Sequence, residues 1–401
     1  MRVALVHDWL NQYGGAERVL EVLHDMYPDA PVYTSLYASE RLPAQYRSWD
    51  IRTSFMQWLP GVRTNHQPFL PLYPLAFESF DFSGYDVVIS NSSGFCHCVR
   101  TSPQTLHINY CLTPPRFLWN LEGYMAREQF PPTLTKLLSL VVAPLRRWDL
   151  RAEERVDRFV AISRAVRDRI RERYHRDAAV IYPPVDTAAF QLIEFIEPEG
   201  SSEPERPEDS SESERPAAEV GDYLLVASRL IPYKRVDLAV QACSRLGVPL
   251  VVAGEGRDRA ALEAMAGPTV RFEGYVTQER LRELYAGCSA FLFPGEEDFG
   301  IAPLEAQAAG RPVIAYAAGG ALDTVVDGVT GLFFHQPTPQ SLADTLRRFD
   351  GYIFDPAIIR QHALRFDASV FRAQFAAYVE EQYEAFVERH QPRRAPARVA
   401  R

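Results

Sequence analysis

AFLFPGEEDFGIAPLEAQAAGRPVIAY, residues 290–316, reads as strand, loop, helix, strand. AFLFP (290–294) is a short apolar run closed by Pro294 and Gly295, the pattern of a strand buried on both faces. A helix is expected over 301–309, with Gly310 beyond its end, where a left-handed cap favours glycine. PVIAY (312–316) is the next buried strand. A strand returning to a strand through a helix makes a parallel pair.

The same alternation extends outward in both directions. DYLLVAS (222–228), PLVVAG (249–254), TVRFEG (269–274) and TGLFF (330–334) complete six strands. Helices are expected over 235–246, 257–266, 277–286, 320–326 and 338–349. The first half carries RVALVHDW (2–9), YDVVISNSS (85–93), LHINYCL (106–112), RFVAIS (158–163) and AAVIYPPV (178–185) as strands. GGAERVLEVLHDMY (14–27) is the helix after the first of them. The fold class is therefore α/β, with two doubly wound Rossmann-like domains facing a central cleft. The first domain is expected over 1–190, an acidic linker or insertion over 191–221 and the second domain over 222–365. A helix over 366–388 is a candidate to pack back on the first domain, and 389–401 is a basic tail.

Charge supports this division. The chain has 401 residues and a net charge of −9, from 43 Lys+Arg against 52 Asp+Glu. Residues 194–222 hold 11 acids and two bases, so the remainder carries 41 of each sign and is neutral. EPEGSSEPERPEDSSESERPAAE (197–219) is Pro/Ser/Glu-rich and has almost nothing to bury; we expect it to be disordered. With a neutral body the overall charge says little about partners; no nucleic-acid partner is expected. The apolar start VALV is cut short by His7 and Asp8, so no signal peptide is expected. No run of 18 apolar residues spans a membrane. Five scattered Cys point to reduced thiols in a cytoplasmic protein. Cys96-His97-Cys98 lacks further ligands at familiar spacing, and no metal is expected.

Two cationic positions carry chemistry. Only two of the 43 cations are Lys, Lys136 and Lys234. Arg229 ends the first strand of the second domain and Lys234 follows near a helix start, where the macrodipole disfavours a cation. Together they could neutralise a diphosphate leaving group. In the quoted stretch, Glu297 sits in the loop and Glu305 inside an otherwise apolar helix. Phe299, Gly300 and Ile301 lead into that helix, whose first-turn N–H groups suit an anion.

Taken together, R-x4-K (Arg229, Lys234), the G-E-G turn (254–256), FEGYV (272–276) and E-x7-E (297–305) resemble the donor half of retaining GT-B glycosyltransferases, family 4. The match is dense over 220–345. HDWLNQYGGAERVL (7–20) resembles the family's Gly-Gly loop. YCLTPPRFLW (110–119) and IYPPVDTAAF (181–190) resemble stretches of bacterial mannosyltransferases of O-antigen and exopolysaccharide assembly. The resemblance implies that Arg229 and Lys234 bind the β-phosphate. It further implies that Glu297 holds donor-sugar hydroxyls and Glu305 ribose hydroxyls. Gly254 and Gly256 belong to the donor-binding turn, Tyr275 and Val276 meet the base, and Gly14 and Gly15 close over the diphosphate. No metal or other cofactor is implied, and the donor is a nucleotide sugar, GDP-mannose favoured over UDP-sugars.

One position departs from the pattern. Many relatives have His, touching the donor sugar, where this chain has Leu112. His107 is five residues away, about 17 Å along a strand and on the opposite face, and reads as structural. Arg116 is a candidate contact to donor or acceptor. SFMQWLPGVRTNHQPFLPLYPLAF (54–77), KLLSLVVAPLRRWDLR (136–151) and the 11 Arg against six acids of 146–176 suggest an interfacial face. It would serve a glycan or polyprenyl-linked acceptor at the inner face of the cytoplasmic membrane. The alternatives are a UDP-sugar epimerase of GT-B fold and a catalytically lapsed nucleotide-sugar-binding scaffold.

Overall fold

A computed structural model describes residues 1–121, 132–190 and 221–390, with the side chains of 132–141 excepted. The acidic segment over 191–220 and the tail from 391 lie outside the described residues. Two compact units emerge, 1–184 with the chain from Ala368 onward, and 185–367.

The first unit is built on seven parallel strands: β1 (Val3–His7), β2 (Val32–Thr34), β3 (Ile51–Thr53), β4 (Val87–Ser92), β5 (Leu106–Cys111), β6 (Arg158–Ala161) and β7 (Ala178–Val180). Their order is β3-β2-β1-β4-β5-β6-β7, so the winding reverses between β1 and β4. The sequence reading lacked β2 and β3. Each has three residues, too short for a periodicity, and each is defined by pairing to its neighbour. The second unit has β8 (Leu224–Ala227), β9 (Leu250–Ala253), β10 (Val270–Gly274), β11 (Ala290–Phe293), β12 (Val313–Tyr316) and β13 (Gly331–Phe334). Their order, β10-β9-β8-β11-β12-β13, repeats the same winding and reverses between β8 and β11. Every pair within both sheets is parallel.

The unit boundary falls earlier than the sequence reading placed it. Residues 185–190 group with the second unit, because the Val185 N–H donates to Phe366 O at 3.0 Å and Phe190 packs edge-on against Tyr285. The helix Ala368–His390 belongs to the first unit. Phe371 and Phe375 pack on Tyr110 of β5, and Arg372 reaches Asp25 at 2.9 Å. Among the described residues, no helix is long and apolar enough to cross a membrane.

One buried histidine makes the first unit acid-sensitive. His107 on β5 is fully buried, and its Nε2 meets Ser90 Oγ at 2.8 Å. Burial, with a smaller push from His97, lowers its pKa to about 3. The unfolded chain takes up this proton near pH 6.5. Between these values the unfolded state binds more protons, so stability falls as pH falls. This group's share is about 1.4 kcal/mol per pH unit. Denaturation series at pH 6, 5 and 4 should approach that slope, with about half of it between pH 7 and 6, and His107→Gln should flatten it; an equal slope in the variant removes His107 from the account.

Candidate functional site

In the second unit the loops that follow β8 and β11 leave adjacent strand ends at the reversal point, where open α/β sheets bind ligands. Arg229 and Lys234 lie on the first loop and Glu297 on the second. Lys234 closes a one-turn helix, Pro232–Lys234. Its Nζ lies 2.5 Å from Glu297 Oε1, with both side chains mostly buried, and 5.4 Å over the Tyr233 ring. Arg235 then adopts φ +53° and forks onto Asp237 at 3.0 and 3.1 Å. A left-handed non-glycine residue costs about 1–2 kcal/mol. Here it turns the chain sharply from Lys234 into the helix Val236–Leu246. Arg229 is exposed, and its guanidinium makes no hydrogen bond or ion pair with the described residues.

The glycines of the 254–256 turn hold this loop. Leu230 N–H donates to Glu255 O at 2.8 Å and Ser228 N–H to Ala253 O at 3.0 Å. A Cβ on Gly254 would lie 1.9 Å from Ser228 O, and one on Gly256 would lie 2.1 Å from Leu230 O. Backbone contact with the Arg229 loop thus accounts for both glycines.

The Glu297 loop is braced by residues the sequence reading passed over. Gly320 N–H donates to Glu297 O at 2.8 Å. A Cβ on Gly319 would meet Glu297 O at 2.2 Å, and one on Gly320 would meet Phe299 Cα at the same distance. The signal was the Gly-Gly pair after PVIAY, read only as a helix start. Phe299 is buried, and Gly300, at φ +94°, begins the helix Ile301–Ala308 with no side-chain cap. Glu305 is buried one turn on, its Oε2 accepting from Tyr285 OH at 2.9 Å. That phenol, remote in sequence, gives the acid in an apolar helix an internal partner. Tyr275, just past β10, is 85% exposed, and Val276 beside it is half-buried.

The first unit carries Gly14, Gly15 and Arg116. Gly14 precedes the helix Gly15–Met26 in an extended conformation, φ −168°, which any residue adopts. Beneath it, buried His7 and Glu17 meet at 3.4 Å, and Asn91 donates to Ala16 O at 2.9 Å. Asp8, read in the sequence only as the end of an apolar run, ties the loop after β1 to that after β4. Its carboxylate accepts from the backbone N–H groups of Ser93, Gly94 and Cys96 at 2.6, 2.7 and 2.8 Å. Arg116 opens the short helix Arg116–Trp119, and Leu112, just past β5, is half-buried.

Comparisons with known proteins match two successive stretches of the chain. Residues 13–189 match the family model for Glycosyltransferase Family 4, and 208–349 the model for Glycosyl transferases group 1. A D-inositol 3-phosphate glycosyltransferase of Streptomyces griseus subsp. griseus is 31% identical over 221 residues, 48% of this chain and 46% of that protein. A GDP-mannose-dependent alpha-mannosyltransferase of Mycobacterium tuberculosis is 37% identical over 130 residues, 31% of this chain and 34% of that protein. The chain thus spans less than half the length of these curated relatives. Among solved structures, Anabaena Alr3699/HepE in complex with UDP superposes with a TM-score of 0.64 at 18% identity, covering 95% of this chain and all of that one. A Glycosyltransferase Family 4 segment thus lies on the first sheet and a Glycosyl transferases group 1 segment on the second, in a pair of parallel-sheet α/β units like those of GT-B glycosyltransferases.

Proposed function

We propose that the protein moves a hexose from a nucleotide sugar to a glycan or lipid-linked acceptor, with retention and without a metal at the diphosphate. The observation that carries this reading is the Lys234–Glu297 contact of 2.5 Å at the sheet reversal, with the uncommitted Arg229 on the same loop. In this reading the two cations take the charge that develops on the departing diphosphate. Glu297 accepts hydrogen bonds from the sugar hydroxyls while steadying Lys234. The anomeric carbon–oxygen bond to the diphosphate breaks as the acceptor oxygen bonds to that carbon from the same side. The acceptor proton passes to the departing phosphate oxygen, which suits a chain with Leu112 where relatives have His.

Mannose and GDP are our choice of sugar and base. The resemblance of 110–119 and 181–190 to surface-polysaccharide mannosyltransferases supports it, as does the printed GDP-mannose dependence of the mycobacterial relative. UDP, bound in the Anabaena protein, is the competitor. We place the enzyme in the cytoplasm, at the membrane's inner face. Trp58 and Leu75, 84% and 59% exposed, support a lipid-facing surface.

A thermal-shift series with GDP-mannose, UDP-glucose and the free diphosphates tests the donor. Saturation to 100 times Kd adds about 2.7 kcal/mol, a rise of about 5–10 °C for units of this size. The rise should be largest with GDP-mannose and smaller in Lys234→Ala. No shift with any of these ligands would sink the proposal. Turnover of a UDP-sugar without acceptor would replace transfer by epimerisation.

A further inference from the structure

We propose that His97, Cys98 and Asp149 form a zinc site buried in the first unit. His97 and Cys98 lie in the one-turn helix Cys96–Cys98 that follows β4, and Asp149 comes from the helix Pro132–Ala152. All three are buried, at 3%, 0% and 0% exposure. One ligating atom from each lies within 4.8 Å of the others.

The local geometry is that of ligands around an ion. His97 Nε2 sits 3.2 Å from Asp149 Oδ1 and 3.2 Å from Cys98 Sγ. Yet Asp149 Oδ1 has no hydrogen-bond partner, so the imidazole nitrogen is near it without being aimed as a donor. Zinc ligands at about 2.0–2.3 Å in a tetrahedron stand about 3.3–3.8 Å apart, close to these separations. The other oxygen, Asp149 Oδ2, accepts from Trp119 Nε1 and Tyr174 OH, both at 3.0 Å. Partners of this kind fix the orientation of a metal-bound carboxylate, and here they turn Oδ1 toward His97 and Cys98. A nitrogen, a sulfur and an oxygen donor suit zinc better than calcium or magnesium. Three protein ligands leave the fourth position to a water.

Burial of all three ligands makes the ion structural. It would tie the turn after β4 to the helix bearing Asp149 and, through Trp119, to the short helix that Arg116 opens. The sequence reading expected no metal because Asp149 lies 51 positions beyond Cys98, far outside any compact ligand spacing. Arg229, Lys234 and Glu297 lie in the second unit, apart from this site.

The test is the metal content of the full-length protein, grown with zinc and desalted, by elemental mass spectrometry. We expect about one zinc per chain. Cobalt-exchanged protein should show a thiolate-to-cobalt charge-transfer band. Cys98→Ser should lower the metal to about a tenth or less and abolish the band, whereas Cys243→Ser in the second unit should leave both unchanged. Wild-type protein with less than about a tenth of an ion after zinc reconstitution overturns the site. So does a Cys98→Ser protein with wild-type metal content. The wild-type cobalt spectrum decides the matter even where the variant fails to fold, because a spectrum without the thiolate band excludes Cys98 as a ligand.

Discussion

Lys234→Ala is expected to lower sugar transfer about 10²–10³-fold, mainly in kcat, the size of effect seen when one group that stabilises a developing anion is removed. The ammonium is held 2.5 Å from Glu297, so the carboxylate fixes its position at the strand ends. Its removal also leaves a mostly buried carboxylate without its partner, and the second unit should melt at a lower temperature. Arg229→Ala separates the two effects. Its guanidinium makes no hydrogen bond or ion pair with the described residues, so the variant should lose transfer while keeping the wild-type melting temperature. Lys234 and Glu297 touch, so their effects should not add, and the Lys234→Ala/Glu297→Gln pair should be little worse than the worse single variant. Steady-state kinetics with calorimetry on the four proteins checks this. Wild-type kcat in Lys234→Ala would remove the ammonium from the reaction.

Gly254→Ala is expected to destabilise the second unit by roughly 2–6 kcal/mol. Strain at a φ of +130° accounts for about 1–3 kcal/mol, and overpacking for a similar amount, since the new methyl would sit 1.9 Å from Ser228 O. Gly247→Ala is the internal control. It also has a positive φ, +67°, but nothing lies within 4 Å of the added Cβ. It should cost only about 1–2 kcal/mol. Urea denaturation of both variants checks the difference, and equal losses would mean that crowding by Ser228 plays no part. Because the same turn bonds to Leu230, Gly254→Ala should also weaken donor binding by displacing Arg229.

What the sequence makes legible follows from where the physical signal resides. β11, β12 and the helix between them are buried, so their apolar runs mark them. β2 and β3 are strands by virtue of their neighbours, and nothing in VYT or IRT announces them. Lys234 and Glu297 were readable as candidates for one site, but their contact depends on β8 and β11 being adjacent, which is a property of strand order. The brace from Gly319 and Gly320 was visible as a dipeptide but meaningless without knowing which loop lies beside it. Tyr285 beside Glu305, and Asp149 beside His97, bring together side chains 20 and 52 positions apart. No local pattern encodes either.

The return of the helix Ala368–His390 to the first sheet has a consequence during synthesis. Tyr110 on β5 gains Phe371 and Phe375 only after the ribosome has passed the entire second unit. At about 5–20 residues per second, that delay is on the order of 10–40 s. Throughout it an apolar face of the nascent chain stands open, and by its end the later-made 185–367 segment holds every strand of its own sheet. The part translated first is therefore completed last, and a chaperone acting on this chain has its target in the N-terminal half.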